Sequence, residues 1–131
     1  MKRKIENSAD IKHLVDTFYE KVIVDASIGF IFTDIIPLDW EVHMPIMYSF
    51  WESVLLSKPL YSGNPVLRHI KLNQKTPLTE AYFDKWLELW FSTLDENFEG
   101  DIASSAKEKA TMMKELMLYK IKKSSDPNFI G

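Results

Sequence analysis

Histidine is the residue type best suited to ligate a metal or exchange a proton near neutral pH, and this chain has three: His13, His43 and His69. His13 lies off the apolar stripe of its predicted helix and is expected in solvent. His43 lies one turn before Met47 on an apolar face, and His69 is followed by the apolar Ile70. Taken one at a time, each histidine fits a structural role better than a ligand role.

Two further polar rings change that interpretation. Tyr19 lies at the edge of one predicted apolar stripe, and Trp86 lies in the middle of another. A buried tyrosine hydroxyl or indole N–H needs a partner, so with His43 and His69 these rings are a poor filling for a core. They suit the lining of a cavity around a polar centre. One axial histidine on a short helix, with apolar walls and a few donors opposite, is what a haem site requires.

Other kinds of site are disfavoured. His43 and His69 with a carboxylate could hold non-haem iron or zinc, but the sequence has no paired-histidine zinc motif. The absence of cysteine excludes a disulfide framework, a thiolate zinc site, an iron–sulfur cluster and a cysteine nucleophile. Met112, Met113 and Met117 are interpreted as core filling. Periodicity and composition alone favour a competing class, a haem-free helical interaction module whose aromatic residues form its core.

The composition predicts one compact domain over 1–131, with a core from about 9 to 123 and loose termini. Hydrophobic residues make up 46% of the chain, and the aromatic share of 13% hints at a large apolar cavity. A net charge of −3 offers no basic field for nucleic acid. No apolar run approaches the roughly 20 residues that span a bilayer, and no secretory signal follows the basic start. We therefore expect a cytoplasmic protein with neither nucleic-acid nor membrane partners.

Apolar residues recur at helical spacing along almost the whole chain, which predicts an all-α protein. The first helix carries its stripe over 11–22, with Ser8 or Asp10 as N-cap. The segment 27–32 is short and very apolar, so it is either a buried strand or one tight helical turn. Its helical neighbours favour the turn. Asp39 can cap a second long helix.

The second half of the chain predicts one short helix and two long ones. The short helix, of barely two turns, has Asn64 as N-cap and Pro65 in its first position. A loop over 73–77 leads to a strong helix with its stripe over 82–94, and the last helix follows Gly100. The chain therefore predicts four substantial helices and two very short ones.

Six short stretches gain meaning from their order and spacing. They are Phe18-Tyr19-Glu20-Lys21-Val22, Trp40-Glu41-Val42-His43, Ser49-Phe50-Trp51 with Leu55-Leu56, Tyr61-Ser62-Gly63-Asn64-Pro65, Arg68-His69 and Phe83-Asp84-Lys85-Trp86-Leu87. Together they resemble the truncated haemoglobins, and most closely the third group of that family, over about 10–123. The double-glycine motifs typical of the other groups are missing here, which fits the third group.

The resemblance implies a shortened globin fold, a two-over-two helical sandwich around haem b (iron protoporphyrin IX), with the first globin helix nearly lost. His69 matches the proximal iron ligand of the family. Tyr19, His43 and Trp86 match the distal residues that face a bound ligand. The resemblance therefore predicts one protein ligand to the iron and as many as three hydrogen-bond donors on the opposite side.

Further residues are expected to contact the haem. Phe32 matches the aromatic residue on the haem face, and Met47 matches the apolar neighbour over the iron. Arg68 lies about 100° around its helix from His69 and is expected to pair with a haem propionate, helped by the Tyr61 hydroxyl. The remaining expected contacts are Phe50, Trp51, Leu72 and Trp90.

Pro45 departs from the family pattern, which has continuous helix at this place. Proline in a helix interior removes one backbone donor and clashes with the preceding turn. Either the helix is kinked at Pro45, or it begins near Met44 with Pro45 in its first turn. The direction of the His43 ring differs between these alternatives.

The expected function is the binding of a diatomic ligand: oxygen, nitric oxide or carbon monoxide. Hydrogen bonds to a polar bound ligand contribute roughly 1.5–3 kcal/mol each when they are charge-assisted, so several donors would slow oxygen release by orders of magnitude. Slow release suits a sensor, a scavenger, or an enzyme such as a nitric-oxide dioxygenase or a peroxidase better than simple oxygen transport. The sequence does not choose among these. It leaves a partner reductase open, and a monomer is expected.

Overall fold

The computed structural model describes residues 2–35, 39–58, 63 and 65–124. Across these residues the chain forms five α-helices, one π-helical turn and no β-strand, which confirms the all-α prediction. The elements are α1 (Ser8–Val24), the π-helical turn (Ile31–Ile35), α2 (Trp40–Leu56), α3 (Pro65–Lys75), α4 (Glu80–Asn97) and α5 (Asp101–Ser124).

The long helices form two layers. Helix α1 packs on α2 and on α4, whereas α5 packs on α4, α3 and α2. The pairs α1–α2 and α4–α5 are therefore the layers of the predicted two-over-two sandwich. Trp90 of α4 is fully buried between them and stacks on Trp51 of α2, with 4.3 Å between the ring centroids.

Helix α1 begins where Asn7 caps it. The Asn7 side-chain oxygen accepts a hydrogen bond from the Asp10 backbone N–H at 3.1 Å, as short polar side chains do at N-caps. The N-cap is therefore Asn7, and the expectation that it is Ser8 or Asp10 is wrong. The apolar stripe predicted over 11–22 is buried and forms the inner face of α1.

The segment after α1 is helical, which confirms the favoured alternative for it. The Asp25 carboxylate opens it by accepting from the backbone N–H groups of Ser27 at 2.8 Å and Ile28 at 3.1 Å. Gly29 then passes directly against the end of α1. A Cβ at Gly29 would lie 2.6 Å from the backbone oxygen of Ile23, so the close approach requires glycine.

Helix α2 begins directly after Asp39, whose carboxylate accepts from the Glu41 backbone N–H at 3.1 Å as predicted for a cap. Pro45 consequently lies inside the helix, and the alternative of a start near Met44 is wrong. His43 precedes the proline, and its backbone N–H donates to the Asp39 carbonyl at 2.8 Å. The His43 ring is therefore positioned by a regular first turn.

Helix α3 is longer than the two turns that the sequence predicts, with 11 residues. Pro65 occupies its first position as predicted, whereas the predicted N-cap Asn64 lies outside the described residues. The loop expected over 73–77 is shorter, because Asn73 is still helical. The Asn73 side-chain oxygen accepts from the Leu78 backbone N–H at 2.8 Å, and this contact connects the helix end to the chain leading into α4.

Helices α4 and α5 have well-defined starts. Thr79 is the N-cap of α4, and its hydroxyl accepts from the Tyr82 backbone N–H at 3.4 Å. Between the two helices Gly100 adopts a φ of +98°, in the left-handed region that favours glycine. The glycine thus allows the sharp reversal that brings α5 back onto α4.

The N-terminal segment is not loose, contrary to expectation. The Arg3 backbone N–H donates to the Asn97 carbonyl at 3.1 Å, and the Arg3 carbonyl accepts from the Glu99 N–H at 3.0 Å. Ile5 is only 2% exposed and belongs to the core. The other expected loose end, over 125–131, lies outside the described residues. In the described part of the chain, no helix is both long and apolar enough to span a membrane.

Candidate functional site

A cavity of about 500 Å³ lies inside the helical sandwich. Its size falls within the roughly 300–1,000 Å³ that is typical of small-molecule and cofactor sites. Side chains from the π-helical turn and from every one of the α-helices α1 to α5 line it. Because so many elements contribute, the site exists only in the folded chain and is scattered along the sequence.

The cavity brings together most of the residues predicted to form the site. Those that line it are Tyr19, Phe32, His43, Met47, Phe50, Trp51, Arg68, His69, Leu72 and Trp86. Helices α2 and α3 contribute the largest shares, and the lining residues of α2 lie on one helix face over 43–51. The third histidine, His13, is exposed on α1 and does not line the cavity.

Tyr19 and His43 form a pair on one wall of the cavity. The Tyr19 hydroxyl oxygen lies 3.3 Å from His43 Nε2, and the two rings meet edge to face. Burial raises the pKa of Tyr19. Burial also lowers the pKa of His43, and the positive charge of Arg68 lowers it further. At neutral pH the tyrosine therefore keeps its proton while the imidazole is uncharged.

Trp86 reaches the cavity from α4, on the far side of Phe18. The Phe18 ring meets Trp86 edge to face at 6.0 Å between centroids and meets Tyr19 in the same way at 5.1 Å. Phe18 thus spaces the two polar rings apart and fixes their relative orientation. An indole N–H and a phenol O–H from two helices are thereby held at one cavity, and both can donate to a guest.

His69 enters the cavity from α3. Its side chain is half-buried, and its ring centroid lies 6.3 Å from that of Phe83 on α4. Leu72, one turn further along α3, lines the cavity beside it. An imidazole at the edge of an apolar cavity is the kind of ligand that haem iron accepts in globins.

Trp90, one of the residues predicted to contact the cofactor, does not line the cavity. Its indole N–H instead donates to the Ala106 carbonyl of α5 at 3.1 Å, and its ring packs between Trp51 and Trp86. Tyr61, which was expected to assist Arg68, lies outside the described residues.

Basic side chains at the cavity edge were missed by sequence reasoning. Lys71 and Lys75 line the cavity together with Arg68, and all three are solvent-exposed, so they mark its solvent edge. Lys114 joins them from α5 and forms ion pairs with Asp84 and Glu80. The signal was present in the sequence, because 68, 71 and 75 have the three- and four-residue spacing of one helix face.

Apolar lining from the C-terminal half was also missed. Met117 is buried in the core and Met113 packs against it, as predicted, and both side chains also line the cavity. Met112 belongs to a different surface and is 62% exposed. Tyr82 and Phe83 of α4 complete this wall. The unbranched thioether side chains of methionine suit the contour of a large flat guest.

This lining fits a haem. A haem is a flat apolar ring system with two carboxylates at one edge, and the cavity offers apolar walls, a histidine and a cationic edge. In the described part of the chain, no group of three His, Cys, Asp or Glu side chains could hold a bare metal ion. His43 and His69 are the two histidines that line the cavity.

Comparison with known proteins agrees with this geometry. The sequence model of the family described as "Bacterial-like globin" matches residues 3–120. The chain is 30% identical over 126 residues to the group 3 truncated hemoglobin ctb of Campylobacter jejuni, covering 92% of this chain and 97% of that protein. The crystal structure of group III truncated hemoglobin from Campylobacter jejuni matches with a TM-score of 0.80 at 27% identity, covering 92% of this chain and 95% of that chain. The chain therefore belongs to the bacterial-like globins and, as its sequence predicted, to the group III truncated haemoglobins.

Proposed function

We propose that this globin holds haem b in its cavity through His69 and reversibly binds oxygen, nitric oxide or carbon monoxide. Membership of the globin family supports haem-based ligand binding in general. The observation that carries the specific proposal is that His69 and the Tyr19–His43 pair line one apolar cavity from three different helices. A ligand between them would meet iron on one side and hydrogen-bond donors on the other.

The distal residues act by hydrogen bonding. The haem, when bound, supplies a coordination position for the diatomic ligand. Tyr19 and Trp86 donate hydrogen bonds to the ligand as uncharged groups, because both side chains keep their protons near neutral pH. The uncharged His43 donates through the nitrogen that bears its proton or accepts from Tyr19. The three groups therefore respond to a ligand as one network.

The basic edge acts on the cofactor. Arg68, Lys71 and Lys75 face the solvent edge of the cavity, where the two haem carboxylates would emerge. Each exposed ion pair of this kind contributes no more than about 1 kcal/mol, because water screens it. We therefore assign these residues to orienting the haem, while apolar contacts and His69 supply most of its affinity.

Strong distal hydrogen bonding makes oxygen release slow, which suits a sensor, a scavenger or an enzyme better than a transporter. Reaction of the bound ligand with nitric oxide, and turnover of peroxide, are the two redox chemistries such a pocket would serve. A reductase would then be needed to return the iron to its ferrous state. We further propose that residues 1–131 act as a single monomeric domain.

A direct test is the spectrum of the purified protein loaded with hemin. Binding should give a Soret band at one haem per chain, and reduction under carbon monoxide should give the spectrum of a histidine-ligated ferrous globin. A protein that shows only tryptophan and tyrosine absorption after hemin addition would be a haem-free helical module instead. Oxygen and nitric-oxide stopped-flow on the reduced protein then ranks the ligands by rate.

A further inference from the structure

Tyr48 of α2 is hydrogen-bonded to a carboxylate outside the cavity. Its hydroxyl donates a hydrogen bond to Asp16 of α1. Lys12 completes the cluster, with Nζ 3.2 Å from Asp16 and 5.7 Å from the centre of the Tyr48 ring. Burial and the hydrogen bond to Asp16 raise the pKa of Tyr48 to about 12. The cluster ties α1 to α2, yet a phenol bonded to a carboxylate also has a proton acceptor already in place.

Tyr48 lies close to the cavity-facing side of α2. Around the helix, Trp51 lies about 60° from Tyr48 and the cavity-lining Met47 lies about 100° from it in the same direction. Trp51, one turn after Tyr48, is therefore the aromatic residue of α2 that lies on the way from Tyr48 to the cavity side, and it lines the cavity. Trp51 also stacks on Trp90, whose ring runs parallel to that of Trp86 at the cavity wall.

We propose that Tyr48 is a redox-active residue, which delivers an electron through Trp51 to a hydroperoxide reduced in the cavity and its phenolic proton to Asp16. The inference rests on the proposed function in one respect, since haem must occupy the cavity. It assigns a role to a residue that lies outside the ligand pocket. It also names a substrate class, phenolic reductants in solution, which react at the half-buried Tyr48 without entering the cavity.

The steps balance. Reduction of hydrogen peroxide to two waters consumes two electrons and two protons. At Tyr48 the O–H bond breaks, one electron leaves toward Trp51, and the proton passes to Asp16, which leaves a neutral tyrosyl radical. A phenol in solution returns a hydrogen atom to Tyr48, and Asp16 releases its proton to water. Two such turns give H2O2 + 2 ArOH → 2 H2O + 2 ArO•.

Two other tyrosines, Tyr19 and Tyr119, are compared with Tyr48 as sites of oxidation. Tyr19 lies in the cavity with His43 beside it, so it competes for the same oxidation. Tyr119 of α5 is a matched control, because Lys123 lies over its ring at 5.7 Å, as Lys12 does over Tyr48. Among the tyrosines that the structure describes, Tyr48 alone donates to a carboxylate. The control thus reproduces the cation over the ring and omits the proton acceptor, and its ring is more exposed to a reductant in solution than that of Tyr48.

The experiment mixes the haem-loaded protein with hydrogen peroxide and detects radicals by freeze-quench electron paramagnetic resonance. A nitrone spin trap and peptide mass spectrometry then locate them. We expect a tyrosyl signal and a trapped adduct at Tyr48. The adduct should disappear in Tyr48→Phe, fall severalfold in Asp16→Asn and be unchanged in Tyr119→Phe. The Soret band of every variant is recorded first, so that haem binding is judged separately.

Several results would overturn the assignment. A tyrosyl signal of equal intensity in Tyr48→Phe, or an adduct confined to Tyr19, would place the radical elsewhere. An adduct at Tyr48 that is unaffected by Asp16→Asn would remove the proton acceptor from the scheme. A fully haem-loaded protein without any protein radical would refute the inference and leave the proposed function standing. Failure to bind haem would refute both.

Discussion

Tyr19 and His43 come from different helices and lie 3.3 Å apart across the cavity wall, so each is the other's hydrogen-bond partner. A ligand that accepts from Tyr19 must therefore compete with His43 or join the pair. Arg68 is coupled to the same pair, since its charge lowers the pKa of His43. Ligand release, imidazole protonation and the cationic edge of the cavity are thus linked.

The first prediction concerns oxygen release. Tyr19→Phe and Trp86→Phe should each raise the oxygen dissociation rate roughly tenfold or more, because each removes a donor whose hydrogen bond contributes roughly 1.5–3 kcal/mol. The double mutant should depart from additivity, since Phe18 packs on both rings. Carbon monoxide, which is less polar when bound, is the internal control and should change much less. Unchanged oxygen release in both single mutants would contradict the distal network.

The second prediction concerns the iron ligand. His69→Ala should lose haem during purification and regain it when imidazole is supplied, because the small molecule replaces the missing ligand in the space left by the side chain. His13→Ala, which changes an exposed histidine that does not line the cavity, should keep haem and its spectrum. If His69→Ala kept haem with an unaltered ferrous spectrum, another residue would have to be the ligand.

Much of this arrangement was predictable from the sequence because helical periodicity is a local property. The helices, the cap at Asp39 and the four polar rings all follow from residue types and spacing. The sequence could not separate Trp86 from Trp90, which lie four residues apart on one stripe. Only the packing of α5, whose Ala106 carbonyl accepts from the Trp90 indole, turns the second ring away from the cavity.

Other differences have equally specific causes. Helix α3 continues past its predicted end because Asn73, a residue typical of loops, makes its side-chain hydrogen bond to Leu78 from within the helix. The N-terminal segment is ordered because Ile5 reaches the core and Arg3 pairs with the chain that leaves α4. Both are long-range or context-dependent contacts, which local patterns do not encode.

The third prediction concerns haem retention at the cationic edge. Arg68→Ala should speed transfer of haem to an acceptor protein by no more than about fivefold, since an exposed ion pair contributes up to about 1 kcal/mol. Removing Lys71 and Lys75 as well should increase the rate further and make it less sensitive to salt. Lys109→Ala is the matched control, because it removes an exposed lysine of α5 outside the cavity. Equal rates in all variants would show that the edge does not hold the cofactor.

The fourth prediction concerns pH. The lowered pKa of His43 places its titration below the ordinary value of 6.5, and Arg68→Gln should move it upward by removing a repelling charge. Because the folded state binds this proton more weakly than the unfolded state, the free energy of unfolding should decrease as the pH falls below 6.5. Nuclear magnetic resonance of the carbon-monoxide form can follow the ring. A His43 midpoint above 6.5 would contradict the burial argument.

The fifth prediction concerns Gly29 and the turn that leads into the cavity wall. An added Cβ would lie 2.6 Å from the backbone oxygen of Ile23, which cannot move without disturbing the end of α1. Gly29→Ala should therefore lower the free energy of unfolding by about 1–3 kcal/mol, as overpacking does elsewhere. Ile28 precedes this glycine, Phe32 lies three residues after it, and both line the cavity, so haem affinity should fall with stability. Ser27→Ala, an exposed change in the same turn, should stay within about 0.5 kcal/mol of the wild type. Urea denaturation with and without hemin measures both effects, and equal stability of the two variants would show that the turn shifts to accept the methyl group.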